Sequence, residues 1–111
     1  MTANEYQKAA LRTANTESSF TSRIRECVYG IVGEVGEVVD LVKKFEFQGH
    51  PIIFADIAEE IGDVAWYLAV LSAVIGYDFD NVLTKNVDKL RDRYPDGFDP
   101  QRSVHREAQK P

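Results

Sequence analysis

The chain has 111 residues, 44% of them hydrophobic, which is enough for one domain with a modest core that self-association would help to stabilise. Its 18 acidic against 13 basic side chains give a net charge of −5; that balance excludes the basic surface needed for nonspecific nucleic-acid binding and is consistent with a site for divalent cations. The single Cys27 excludes an internal disulfide and any multi-cysteine zinc site.

The opening residues Met1-Thr2-Ala3-Asn4-Glu5-Tyr6 lack a basic segment followed by an apolar one, and no apolar run reaches the roughly 18 residues of a membrane span. A soluble, cytoplasmic protein without membrane or nucleic-acid partners is expected. Residues 4 to 14 carry good helix formers with Tyr6, Ala9, Ala10 and Thr13 on one side, which predicts a short first helix. The polar run 15–19 follows, and a second helix is expected to begin near Ser18 or Ser19.

From about Phe20 to Phe47, the residues Ile24, Val28, Ile31, Val35, Val38, Val42 and Phe45 recur at intervals of three and four, the spacing of one helical stripe. Cys27 falls inside this pattern and reads as core filling. Glu34, Glu37, Asp40 and Lys44 run along the stripe's edge. Gly30, Gly33 and Gly36 each weaken a helix by about 1 kcal/mol relative to alanine, so close approach of a helix or ligand is expected beside them. Gln48-Gly49-His50-Pro51 ends the segment. His50 reads as an exposed turn residue.

A third helix is predicted from about Ile52 to Ile75. Ile53, Ile57, Ile61, Val64, Leu68, Leu71 and Ile75 form its band, bordered by Asp56, Glu60, Asp63 and Tyr67. Trp66, Val70, Ala73 and Val74 make the rest of its C-terminal half apolar, which points to cover from another subunit. Gly76 closes that helix, and Asp78 or Asp80 caps a fourth that runs to about Arg93. Leu83, Val87, Leu90 and Tyr94 make its stripe, with Asn86, Lys89 and Arg93 on the adjoining edge. The segment 94–100 reads as a turn. The expected organisation is therefore all-α, a four-helix bundle-like subunit with two long central helices over residues 1–100, followed by a polar tail over 101–111.

At about 100° per residue, Glu34 and Glu37 project close together, and so do Glu60 and Asp63. Two acidic pairs beside apolar stripes, without basic partners four residues on, repel one another unless a cation intervenes. Hard cations such as Mg²⁺ take several oxygen ligands. A di-iron bundle would require Glu-x-x-His elements, which His50 and His105 do not complete. The residues alone leave two readings open, a metal site and a solvated charged face.

Glu34-x-x-Glu37, 22 residues, Glu60-x-x-Asp63 resembles the signature of the MazG-like all-α nucleoside triphosphate pyrophosphohydrolases. Asp40-Leu41-Val42-Lys43-Lys44, Glu59 through Leu68, and Asn86 through Pro95 look like that family's further blocks in its order, and the likeness extends over roughly residues 20 to 106. The resemblance implies a hydrolase acting on acid anhydrides, cleaving between the α- and β-phosphates to give a nucleoside monophosphate and pyrophosphate. It implies Mg²⁺, with Mn²⁺ as a substitute, on Glu34, Glu37, Glu60 and Asp63, and Glu37 as the residue that orients the water. Lys44, Asn86, Lys89 and Arg93 become candidates for phosphate or sugar contacts, and Tyr67 for the base. Trp66 reads as interface packing. Family members are dimers or tetramers with sites between subunits, and Ser103, His105 and Arg106 resemble a tail that closes over a partner. A phosphoribosyl-ATP or dUTP-type hydrolase of the same fold, and a non-catalytic dimerisation or regulatory module, are the alternatives.

Overall fold

The computed structural model describes residues 1–106. Five helices occur in that range: α1 (Ala3–Leu11), α2 (Phe20–Phe47), α3 (Phe54–Val74), α4 (Phe79–Arg93) and α5 (Pro100–Val104). The expected all-α class and the two long helices are present.

Local sequence sets the boundaries. Thr2 caps α1 through a reciprocal box with Glu5, and the Ser19 hydroxyl accepts from the Ser22 N–H at the start of α2, so donors left open at each helix start are satisfied. At the end of α2, Gly49 adopts φ 72 and the His50 N–H reaches back to the Lys44 carbonyl at 3.1 Å. At the end of α3, Gly76 adopts φ 88, and the Tyr77 N–H bonds the Ser72 carbonyl at 2.8 Å. That is the left-handed cap that glycine accommodates without a Cβ clash.

The chain divides by its contacts into a unit covering 1–79 and a second from residue 80 onward. In the first, α2 and α3 form a hairpin with α1 packed on α3. Gly30 meets Tyr67, while Cys27 and Val70 share one core cluster. Partners rise on one helix as they fall on the other, so α2 and α3 run antiparallel.

The core differs from the expected stripes. Ala10, Cys27, Ala69 and Val70 are its buried apolar residues, and Tyr6, Leu11, Trp66, Leu71 and Phe79 pack around them. On α3 the buried face is the one through Ala69 and Val70, whereas Ile61 of the expected band is 61% exposed. Val28, Val35, Val42 and Phe45 of the α2 stripe are likewise exposed. Periodicity finds an apolar face but does not say which chain covers it.

Gln7 locks α1 in place. Buried to 7% exposure, it donates to the Ala69 carbonyl at 3.1 Å and the Tyr77 carbonyl at 3.0 Å, and its Oε1 accepts from the Phe79 N–H at 3.1 Å. The bonds tie α1 to backbone groups at the end of α3 and the start of α4, where the Phe79 N–H is one of the donors that a helix start leaves open.

The second unit contains α4 and α5. Asp99 caps α5 with Pro100 in its first turn, and the Arg102 guanidinium donates to the Arg93 carbonyl and to the Asp92 carbonyl, closing the C-terminal end of α4. The polar tail expected from residue 101 is thus helical through Val104, and residues 107–111 lie outside the described range.

Candidate metal centre

The antiparallel hairpin brings the two acidic motifs together. Oxygens of Glu34 on α2 and of Glu60 and Asp63 on α3 lie within 4.8 Å of one another. Each pair is three residues apart, so it projects from one side of its helix, and the hairpin turns those sides toward each other. A magnesium ion holds its oxygens at about 2.1 Å, so ligands on opposite sides of it are about 4.2 Å apart. The cluster is within a small side-chain adjustment of that spacing.

Glu60 is the most perturbed member. Its Oε2 is enclosed and has no hydrogen-bond donor, although the residue as a whole is only partly buried. Two ionised carboxylates cannot hydrogen-bond each other, so Glu34 and Glu60 can associate only by sharing a proton. That shared proton, then desolvation, then the charges of Glu34, Asp63 and Glu37, push the Glu60 pKa up to about 7. An enclosed acceptor among like charges is what a divalent cation relieves. The donor set is all carboxylate oxygen, which suits Mg²⁺ or Mn²⁺ and disfavours softer metals.

Glu37 stands at the margin. It is exposed and outside the three-residue cluster, yet close enough for its charge to act on both Glu60 and Lys44. Lys44 Nζ is 2.9 Å from Asp40 Oδ2, and Lys43 Nζ is 3.6 Å from Asp40 Oδ1. Hydrogen bonding to Lys44 and the two lysine charges hold the Asp40 carboxyl below its ordinary range. The same hydrogen bond and charge raise the Lys44 pKa, with Glu37 adding to the effect. The i, i+4 pair thus keeps a cation two turns from Glu37.

Tyr67 stands one turn beyond Asp63. Its ring covers Gly30 so closely that a Cβ there would lie 2.2 Å from Cε1, which explains this glycine as the sequence suggested. Gly33 and Gly36 meet nothing within 4 Å in this chain, so the close approach expected at them is not made here. Trp66 meets Tyr67 edge to face at 5.0 Å and donates from Nε1 to Thr13 Oγ1 at 3.0 Å. The Tyr6 hydroxyl reaches the Gly62 carbonyl at 3.5 Å, between the two acids of α3.

A cavity of about 520 Å³ opens beside Gly30 and Tyr67, lined by α2, α3 and the residues just after α1. Sequence reasoning missed the part played there by Arg23, Thr13 and Asn15. The available signal was that Arg23, Cys27 and Gly30 share the face of α2 that carries Glu34. Asn86, Lys89 and Arg93 lie along one edge of α4 in the second unit, with Asn86 and Lys89 exposed. His50 is exposed in its turn, as expected.

Residues 23–98 match the MazG nucleotide pyrophosphohydrolase domain, and the chain belongs to that family. It is also similar to the Gene 37 protein of Mycobacterium phage L5, 35% identical over 68 residues, which are 58% of this chain and 60% of the phage protein. The match thus spans about three fifths of that relative's length. No solved structure matches. No described helix is long and apolar enough to cross a membrane.

Proposed function

We propose that the protein is a Mg²⁺-dependent nucleoside triphosphate pyrophosphohydrolase. In the proposed reaction, water supplies an oxygen, the P–O bond between the α- and β-phosphates breaks, and a nucleoside monophosphate and pyrophosphate leave. The observation that carries this reading is the convergence of Glu34, Glu60 and Asp63 around the donorless Glu60 Oε2, in a chain whose family acts on nucleotides.

In this reading Glu34, Glu60 and Asp63 hold the cation from two helices, with Glu37 completing the set. Bound there, Mg²⁺ would neutralise phosphate charge and lower the pKa of the attacking water. Glu37 orients that water and takes its proton, since it is exposed and lies outside the three-oxygen cluster. Lys44, held by Asp40, faces the phosphates. Tyr67 packs against the base one turn along the hairpin. Residues 1–100 act as one domain, as the family match running across both units suggests.

Self-association belongs to the same proposal. Val32, Val39, Phe47, Phe54 and Ile61 are each more than half exposed, and a homodimer or homotetramer would bury apolar surface that a single copy leaves in water. The expected setting is the cytoplasm, with the activity limiting unwanted nucleotides.

The test is pyrophosphate release from a nucleotide panel, including dUTP and phosphoribosyl-ATP, with and without Mg²⁺. Glu60→Gln should lower turnover by at least about 10²-fold, the scale of losing one charge-stabilising group in an active site, while the circular dichroism spectrum is kept. Turnover unchanged by Glu60→Gln or by chelation would reject the hydrolase reading.

A further inference from the structure

The cavity beside Tyr67 lies one helical turn from the carboxylates, because Gly30 precedes Glu34 and Tyr67 follows Asp63 by four residues each. The rings of Trp66 and Tyr67 and the side chains of Cys27 and Val70 form much of its lining. Several of its polar groups are occupied within the protein. Trp66 Nε1 donates to Thr13, and Thr13 in turn donates to the Ala10 carbonyl. Asn15 Oδ1 accepts from the Glu17 N–H. Burial, then the charge of Glu26, raise the Cys27 thiol's pKa above its ordinary value, keeping it neutral.

Arg23 differs from these. Its Nε is enclosed yet has no hydrogen-bond acceptor, although Glu26 lies one turn along the same helix and also lines the cavity. An enclosed guanidinium N–H without an acceptor is unfavourable, and a ligand oxygen delivered to it relieves that directly. The aromatic walls suit a flat ring, and Arg23 offers it a donor that never deprotonates.

We infer that this cavity selects a nucleobase bearing an exocyclic carbonyl oxygen, read by Arg23. Cytosine, uracil, thymine and guanine each carry one. Adenine carries none: its exocyclic group is an amino donor, which cannot accept from the guanidinium, and its acceptors are ring nitrogens only. Arg23 is thus a specificity-determining residue. Placing the cavity's ligand as a nucleotide base rests on the pyrophosphohydrolase reading, whereas ring capture by the cavity can be measured without any turnover.

Trp66 is the chain's single tryptophan and lines the cavity, so its fluorescence reports occupancy. The experiment titrates uridine, cytidine, guanosine and adenosine into the metal-free protein and into Arg23→Gln and Arg23→Lys, each checked for fold by circular dichroism. The wild type should show saturable quenching with the three carbonyl-bearing nucleosides at least about tenfold tighter than with adenosine, and both variants should lose that preference. Arg23→Lys is informative because it keeps the charge but lacks the planar N–H array. Equal binding of adenosine, no saturable quenching, or a preference retained in both folded variants would overturn the inference. If quenching follows the expected order while no triphosphate is hydrolysed, the hydrolase reading fails and the cavity's selectivity stands. Hydrolysis without any Trp66 response has the opposite meaning.

Discussion

Gln7 and Glu60 are polar side chains on the same small unit with opposite environments. Gln7 is buried with each of its three hydrogen bonds spent on backbone groups between the last turns of α3 and the start of α4, an arrangement that a folded core requires and a ligand could not improve. Glu60 has an enclosed oxygen with no donor and three acids acting on it. A satisfied polar group marks structure. An unsatisfied one, placed among like charges, marks a candidate ligand site.

The sharpest way to break this contrast is to replace each residue in turn. Glu60→Gln removes a charge but keeps the shape, and its amide can donate to Glu34 as the shared proton does. Alongside the lost turnover, its metal-free melting temperature should exceed that of the wild type at pH 8. The advantage should shrink by pH 5, where Glu60 is protonated in the wild type. A variant that melts lower than wild type at pH 8 would show the acids to be structural. Gln7→Leu should do the reverse: a loss of about 2–3 kcal/mol in urea unfolding, because three hydrogen bonds of a buried side chain are removed, with turnover per folded molecule retained.

The pH dependence follows from Glu60. Its folded pKa of about 7 stands above the ordinary 4.5, so the folded protein binds the extra proton between those values. That contribution to stability is fully present below about pH 4.5 and is lost as pH rises through 7. Metal binding must expel the same proton, so Mg²⁺ affinity should fall by up to about tenfold per pH unit below 7 and level off above it. Calorimetric titration at pH 6, 7 and 8 checks this; a flat profile would remove Glu60 from the ligand set. The Asp40–Lys44 pair, both partly exposed, should change stability little when Asp40 becomes Asn.

The smallest effects separate contacts within this chain from contacts between copies. Gly30→Ala should destabilise by about 1–3 kcal/mol, because the new methyl meets the Tyr67 ring. Gly33→Ala has open space around it and should gain up to about 1 kcal/mol from helix propensity in a monomer. If Gly33→Ala instead weakens the protein in a concentration-dependent way, a second copy fills that space.

Much of the site was legible because helical spacing is rigid: once Glu34 and Glu37 share one edge and Glu60 and Asp63 another, a short loop leaves the hairpin few alternatives. Ser19, Gly49 and Gly76 were readable as caps for the same local reason. The buried face of α3 was not, since its whole C-terminal half is apolar and the packing of α1 and of Cys27 on α2 decides which side this chain covers. Arg23 was also hidden. An arginine early in a helix looks solvated until the walls that enclose its Nε are in place. The α5 helix did have a signal in Asp99-Pro100, a cap followed by a residue suited to a helix's first turn, within what read as turn and tail.

Manganese binding followed by electron paramagnetic resonance tests the shared-ion claim most directly. Wild-type protein at pH 8 should bind Mn²⁺ with the free-ion signal lost on titration, Mg²⁺ should compete for the same position, and Glu34→Gln, Glu60→Gln and Asp63→Asn should each weaken binding by at least about tenfold. Binding that survives unchanged in all three variants would contradict a common ion held between α2 and α3.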